Sequence, residues 1–129
     1  MFTSRLVIRD LPEPDLWTLA APLVWSDPVR GTLTAPEGFV TDLASIPRAL
    51  RNLPTLDVDG ISRRPAAMHD WLYGGDRSRG KGFADTFLRD ALIAEGASDA
   101  VADTYYEAVH LFGAASWASD APKESTCAV

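Results

Sequence analysis

The rhythm of hydrophobic and polar residues changes near Phe39. Before it, apolar residues come in short runs divided by turn residues: RLVIRD (5–10) and LWTLAAPLVW (16–25) flank LPEPD, and SDPVRGTLTAPEGF carries turn chemistry at Asp27-Pro28, Gly31 and Pro36-Glu37-Gly38. This pattern predicts a small antiparallel sheet or meander.

Beyond Phe39 the spacing becomes helical. DLASIPRALRNL predicts a short helix capped by Asp42 or Ser45, with Pro47 early, where its missing N–H costs little. NLPTLDVDG reads as a loop. The next helix takes Ser62 as N-cap and Pro65 in its first turn, and Gly74-Gly75 end it through a left-handed C-cap. After the polar turn DRSRGKG, the stretch FADTFLRDALIAEG sets Phe83, Ala84, Phe87, Leu88, Ala91 and Leu92 on one apolar arc, with Asp85 at its edge, and stops at Gly96. A last helix is expected from Ser98 to about Trp117, with Ala102, Tyr105, Val109 and Phe112 toward the core. The fold class is therefore α+β: a small N-terminal antiparallel β-sheet followed by a C-terminal bundle of three or four α-helices. One domain is expected over residues 1–119, with a loose polar tail over 120–129.

Size and composition fit this picture. The chain has 129 residues, 47% hydrophobic and 23% charged, enough for one folded domain with its own core. Twelve Lys and Arg against 18 Asp and Glu leave a net charge of −6, which opposes nucleic-acid binding through a basic face. Arg63, Arg64, Arg77, Arg79 and Lys81 nonetheless flank one segment, either as a solvated or ion-paired surface or as a grip for phosphate. The N-terminus lacks the pattern of a signal peptide. The longest apolar run, Leu19 to Trp25, is far too short for a transmembrane segment. The single cysteine, Cys127, has no partner for an internal disulfide.

The candidate chemistry centres on AAMHDWLYGG (66–75), where a histidine and an aspartate interrupt a core-like run. One helical turn apart, His69 and Tyr73 share a face, and Asp70 aligns with Ala66 and Tyr73. Antiparallel packing on the following helix would bring Asp85 opposite His69. A carboxylate on one imidazole nitrogen fixes the tautomer and leaves the other nitrogen as a base or ligand. Asp70 points elsewhere and suits a cation, and Asp42, in FVTDLASIPR after Thr41, offers a second carboxylate for a hard ion such as calcium. The same residues also admit a structural reading: a buried His69–Asp85 hydrogen bond, Asp42 as an N-cap, and Asp70 paired with Arg77 or Arg63. His110 reads as surface or helix packing. No zinc signature, nucleophile elbow or phosphate-binding glycine loop is present.

The series PEGFVTDLASIPR, AAMHDWLY, ADTFLRDAL and YEAVHLFGAASW, from about Pro36 to Trp117, resembles the phage-associated domain-of-unknown-function family numbered 1353. The resemblance implies a phage or prophage source, a place in the host cytoplasm or the virion, and other phage virion proteins as partners. A second, partial resemblance joins HDxxY at His69, Asp70 and Tyr73 and ADTF at Asp85 to the helix pair of phospholipases of the A-two type. It implies His69 as the base that activates water, Asp85 as the carboxylate orienting it, and Asp70 as a calcium ligand. Asp42 would stand where the calcium loop precedes the histidine helix, and Thr41, Tyr73 and Arg77 would support the site. The chain departs from those enzymes in its short loop between His69 and Asp85, its lack of disulfides and the absence of glycines in Asp42-Leu43-Ala44-Ser45. Two functions follow as expectations: a calcium-dependent hydrolase of membrane lipid or envelope ester, or a non-enzymatic tail or connector part in which the same residues form a structural network.

Overall fold

A computed structural model describes residues 1–14, 16–42 and 60–119. The short helix expected beyond Asp42, the loop up to Asp59 and the tail 120–129 with Cys127 lie outside the described residues. The architecture is α+β, with antiparallel strands first and helices after them.

The strands are β1 (Ile8–Asp10), β2 (Trp17–Leu19), β3 (Leu23–Asp27), β4 (Gly31–Ala35) and β5 (Val40–Thr41). They form two sheets instead of the single one expected, a three-stranded β1-β2-β5 and a two-stranded β3-β4, all antiparallel. The run 16–25 is broken between β2 and β3 at Ala20-Ala21-Pro22, where Pro22 lacks the N–H that a continuous ladder needs. The β3–β4 hairpin is closed by Asp27. Its Oδ1 accepts from the backbone N–H groups of Val29 (2.7 Å) and Arg30 (2.6 Å), and its Oδ2 from Trp25 Nε1 (2.6 Å). Burial pushes this carboxyl up, but those bonds and the Arg30 guanidinium outweigh it and hold its pKa at about 2. Gly31 follows with φ +75°, a conformation that leaves the turn to glycine.

The helices are α1 (Arg63–Gly74), α2 (Lys81–Ala94), α3 (Asp99–Phe112) and a short α4 (Ala114–Ser119). Ser62 stands at the N-cap of α1 but makes no side-chain cap bond, whereas Ser98 caps α3 by accepting from Val101 N–H at 3.2 Å. The left-handed cap expected at Gly75 does not form, because its φ is −100°. Glycine is needed there for space: a Cβ would come within 2.0 Å of the Trp71 ring. The single last helix expected to Trp117 is divided at Gly113, which is buried and where a Cβ would meet the Tyr73 hydroxyl at 2.8 Å.

One core joins sheet to helices. Trp25 of β3 packs edge-on against Phe2 (5.0 Å between centroids) and Phe87 of α2 (5.1 Å), and an isolated bridge between Phe2 and Trp25 ties the first residues to β3. Of the arc foreseen on α2, Ala84, Phe87, Leu88, Ala91 and Leu92 are buried and Phe83 is half-buried. Leu88 and Leu92 form a second cluster with Ala102, Tyr105 and Val109 of α3. This packing sets α1 and α2 side by side, with His69, Tyr73 and Asp85 buried between them.

Candidate functional site

His69 lies on the buried face of α1, four residues before Tyr73, and Asp85 sits one turn into α2. The two helices meet at these residues. His69 Nε2 is 2.9 Å from Asp85 Oδ1, and the Tyr73 hydroxyl donates to the same oxygen at 2.6 Å. Lys81, at the start of α2, donates its ammonium to Asp85 Oδ2 at 2.7 Å. His69 is 1% and Asp85 0% exposed.

The protonation pattern follows from these contacts. Burial pushes the Asp85 carboxyl up, but hydrogen bonds from His69, Lys81 and Tyr73 overcome it and hold it below the usual carboxylate range. An ionised carboxylate only accepts, so the proton between His69 and Asp85 belongs to Nε2 and His69 donates. Lys81 meets the other oxygen of the same carboxylate, so Asp85 is held from both sides. The His69 and Tyr73 rings lie 4.2 Å apart, which further fixes the imidazole plane.

In the sequence Lys81 reads only as part of a basic cluster, although its spacing of four from Asp85 is that of a helical ion pair. It also donates to the carbonyls of Val109 (3.1 Å) and His110 (3.3 Å), so one ammonium ties α2 to the C-terminal end of α3. Arg77 supports Tyr73 from behind. It donates to Tyr73 O (2.8 Å) and Trp117 O (2.7 Å) and lies 3.7 Å over the Trp117 ring, which packs edge-on against Tyr73 at 5.2 Å. His110 is exposed and stacks on Tyr106 at 5.6 Å.

The acidic pair faces another way. Asp70 accepts from the Thr41 hydroxyl at 2.6 Å, which links α1 to β5. Asp70 and the exposed Asp42 line one open groove of about 250 Å³, with Leu16, Phe39, Val40 and Gly74. Calcium takes about six to eight oxygen ligands. Two carboxylates fall short of that, and no group of three His, Cys, Asp or Glu side chains suited to a metal occurs among the described residues. The described residues do not make up a calcium site.

The site is thus an imidazole oriented by a carboxylate that is itself clamped by a phenol and an ammonium, carried on paired helices of an α+β domain. The chain belongs to the DUF1353 family of proteins of unknown function, whose model matches residues 17–109 and so spans the strands from β2 onward, α1, α2 and most of α3. No curated protein and no solved structure matches the chain. Among the described residues no helix is long and apolar enough to cross a membrane.

Proposed function

We propose that this protein is a phage- or prophage-encoded hydrolase of membrane lipid or envelope ester in which His69 is the general base. The single observation that carries the reading is the Asp85 clamp: His69 Nε2 at 2.9 Å, with the second partners Tyr73 and Lys81 fixing the carboxylate. A carboxylate so held orients the imidazole and stabilises the imidazolium formed when Nδ1 takes a proton. Nδ1 is itself buried, so the step requires α1 to open at His69; water then attacks the ester carbonyl as its proton passes to Nδ1. The tetrahedral intermediate then collapses, and the same proton leaves with the alcohol, so that carboxylic acid and alcohol are the products and His69 returns to its starting tautomer. Asp70 and Asp42 line a separate open groove, which does not include His69.

The burial of His69 and Asp85 supports a second reading. In it, the network locks α1 to α2 in a non-enzymatic virion component, and its polar partners specify the helix packing. One experiment separates the two. Fatty-acid release from phosphatidylglycerol and phosphatidylcholine vesicles is followed with wild type and His69→Gln, with calcium and with chelator, beside urea unfolding of both proteins. The hydrolase reading expects release by wild type and a loss of about 10²–10⁴-fold in a variant that remains folded. No release by folded wild type, together with a loss of about 3 kcal/mol or more of stability in the variant, overturns it in favour of the structural reading.

A further inference from the structure

The basic residues around α1 and α2 are not one patch. Lys81 is committed to Asp85, Arg77 to Trp117 and the Tyr73 carbonyl, and Arg79 donates to Arg30 O at 3.3 Å while lying 5.0 Å over Phe83. Arg64 forms a two-point pair with Glu95, Nε to Oε2 at 3.0 Å and Nη2 to Oε1 at 2.8 Å, and donates Nη1 to Ser4 O at 3.1 Å. Arg63 differs. It is exposed and, with the exposed Arg5, takes part in no ion pair among the described residues.

Arg5 and Arg63 come from distant parts of the chain yet line the same open groove of about 430 Å³, with Leu6, Gly60, Arg64 and Glu95. The Glu95 charge is already met by Arg64, so the groove keeps two positive charges in a protein whose net charge is −6. Its rim is also the N-terminal end of α1, whose partial positive charge adds to theirs. Uncompensated guanidinium groups facing one concavity suit a tetrahedral oxyanion, because each fork offers two parallel N–H donors to a pair of phosphate oxygens.

We propose that the Arg5–Arg63 groove binds a phosphate group, carried either by a lipid headgroup or by a small soluble molecule. Arg5 and Arg63 supply the charge, and the Arg64–Glu95 pair holds the floor between α1 and the end of α2. This site is separate from the His69–Asp85 pair, and its occupancy does not depend on turnover.

The test uses the full chain and the double variant Arg5→Gln/Arg63→Gln, both substitutions lying at exposed positions. Inorganic phosphate is titrated while the arginine Nε–H resonances are followed, and co-sedimentation is measured with phosphatidylglycerol and with phosphatidylcholine vesicles. The expected result is saturable perturbation of the Arg5 and Arg63 signals, with binding weakened about tenfold or more in the double variant. Vesicle capture that the double variant loses supports the site and assigns the phosphate to a lipid headgroup. Binding of inorganic phosphate without vesicle capture supports the site and assigns it to a soluble molecule. Absence of binding in both arms, or equal binding by wild type and variant, overturns the proposal. Because neither arm reads ester cleavage, failure of the hydrolase reading would leave this result intact.

Discussion

Asp85→Asn removes one charge and changes little in shape, so its effect can be worked out from the contacts of the carboxylate. Asp85 is 0% exposed and accepts from three donors, His69 and Tyr73 on one oxygen and Lys81 on the other. The amide has only one acceptor oxygen. If its NH₂ faces Lys81, donor meets donor; if it faces His69 and Tyr73, their two bonds must reorganise. Removing one partner of a buried ion pair costs about 3–5 kcal/mol. Lys81 is 21% exposed and keeps the carbonyls of Val109 and His110, so part of its charge is still solvated and the loss falls at the low end, at about 3 kcal/mol. Stability of about 5–15 kcal/mol leaves such a variant folded at room temperature. Urea unfolding followed by tryptophan fluorescence measures the difference, and thermal unfolding is expected to drop by about 10 °C. A change below about 0.5 kcal/mol, the range of ordinary surface substitutions, would refute the clamp as an energetic element of the fold.

Tyr73→Phe removes one of the bonds that hold the Asp85 carboxyl low. A depressed carboxyl contributes stability that is complete above the unfolded-state value and lost as pH falls through the folded one. Raising the folded value brings that loss on sooner, so the acid-unfolding midpoint of the variant should lie at higher pH than that of wild type, as read by far-UV circular dichroism; an unchanged midpoint contradicts the assignment. Gly75→Ala forces a Cβ against the Trp71 ring, which packs edge-on against Phe39 at 5.1 Å, and should destabilise by about 1–3 kcal/mol in the same urea assay. A neutral effect would mean that the ring moves aside at no cost.

Much of this architecture is legible along the chain because local rules and tertiary packing agree. The apolar arc of α2, the start of α3 near Ser98 and the switch from strand-like to helical spacing near Phe39 all rest on hydrophobic period. The contact of His69 with Asp85 could be anticipated because two helices joined by a short turn must pack antiparallel. Three features were hidden for physical reasons. The need for glycine at 113, where the last helix divides, involves Tyr73, forty residues earlier, whose hydroxyl takes part of the space a side chain would fill. The break between β2 and β3 separates two sheets within a run that is apolar apart from Thr18. Lys81 reads as surface charge until Asp85 is known to be buried, since an exposed pair at the same spacing would contribute little. Asp70 illustrates the same limit: its bond from Thr41 joins residues 29 positions apart, which no local pattern encodes.

The central claim is that Asp85 fixes the orientation of His69 through Nε2, on which the proposed role of Nδ1 as a base rests. The most direct test is the ¹⁵N spectrum of the imidazole in the full chain at neutral pH, with Asp85→Asn for comparison. The account predicts a His69 ring protonated at Nε2, with that proton shifted or shared between the two nitrogens in the variant. A ring protonated at Nδ1, or a spectrum identical in the two proteins, would contradict it.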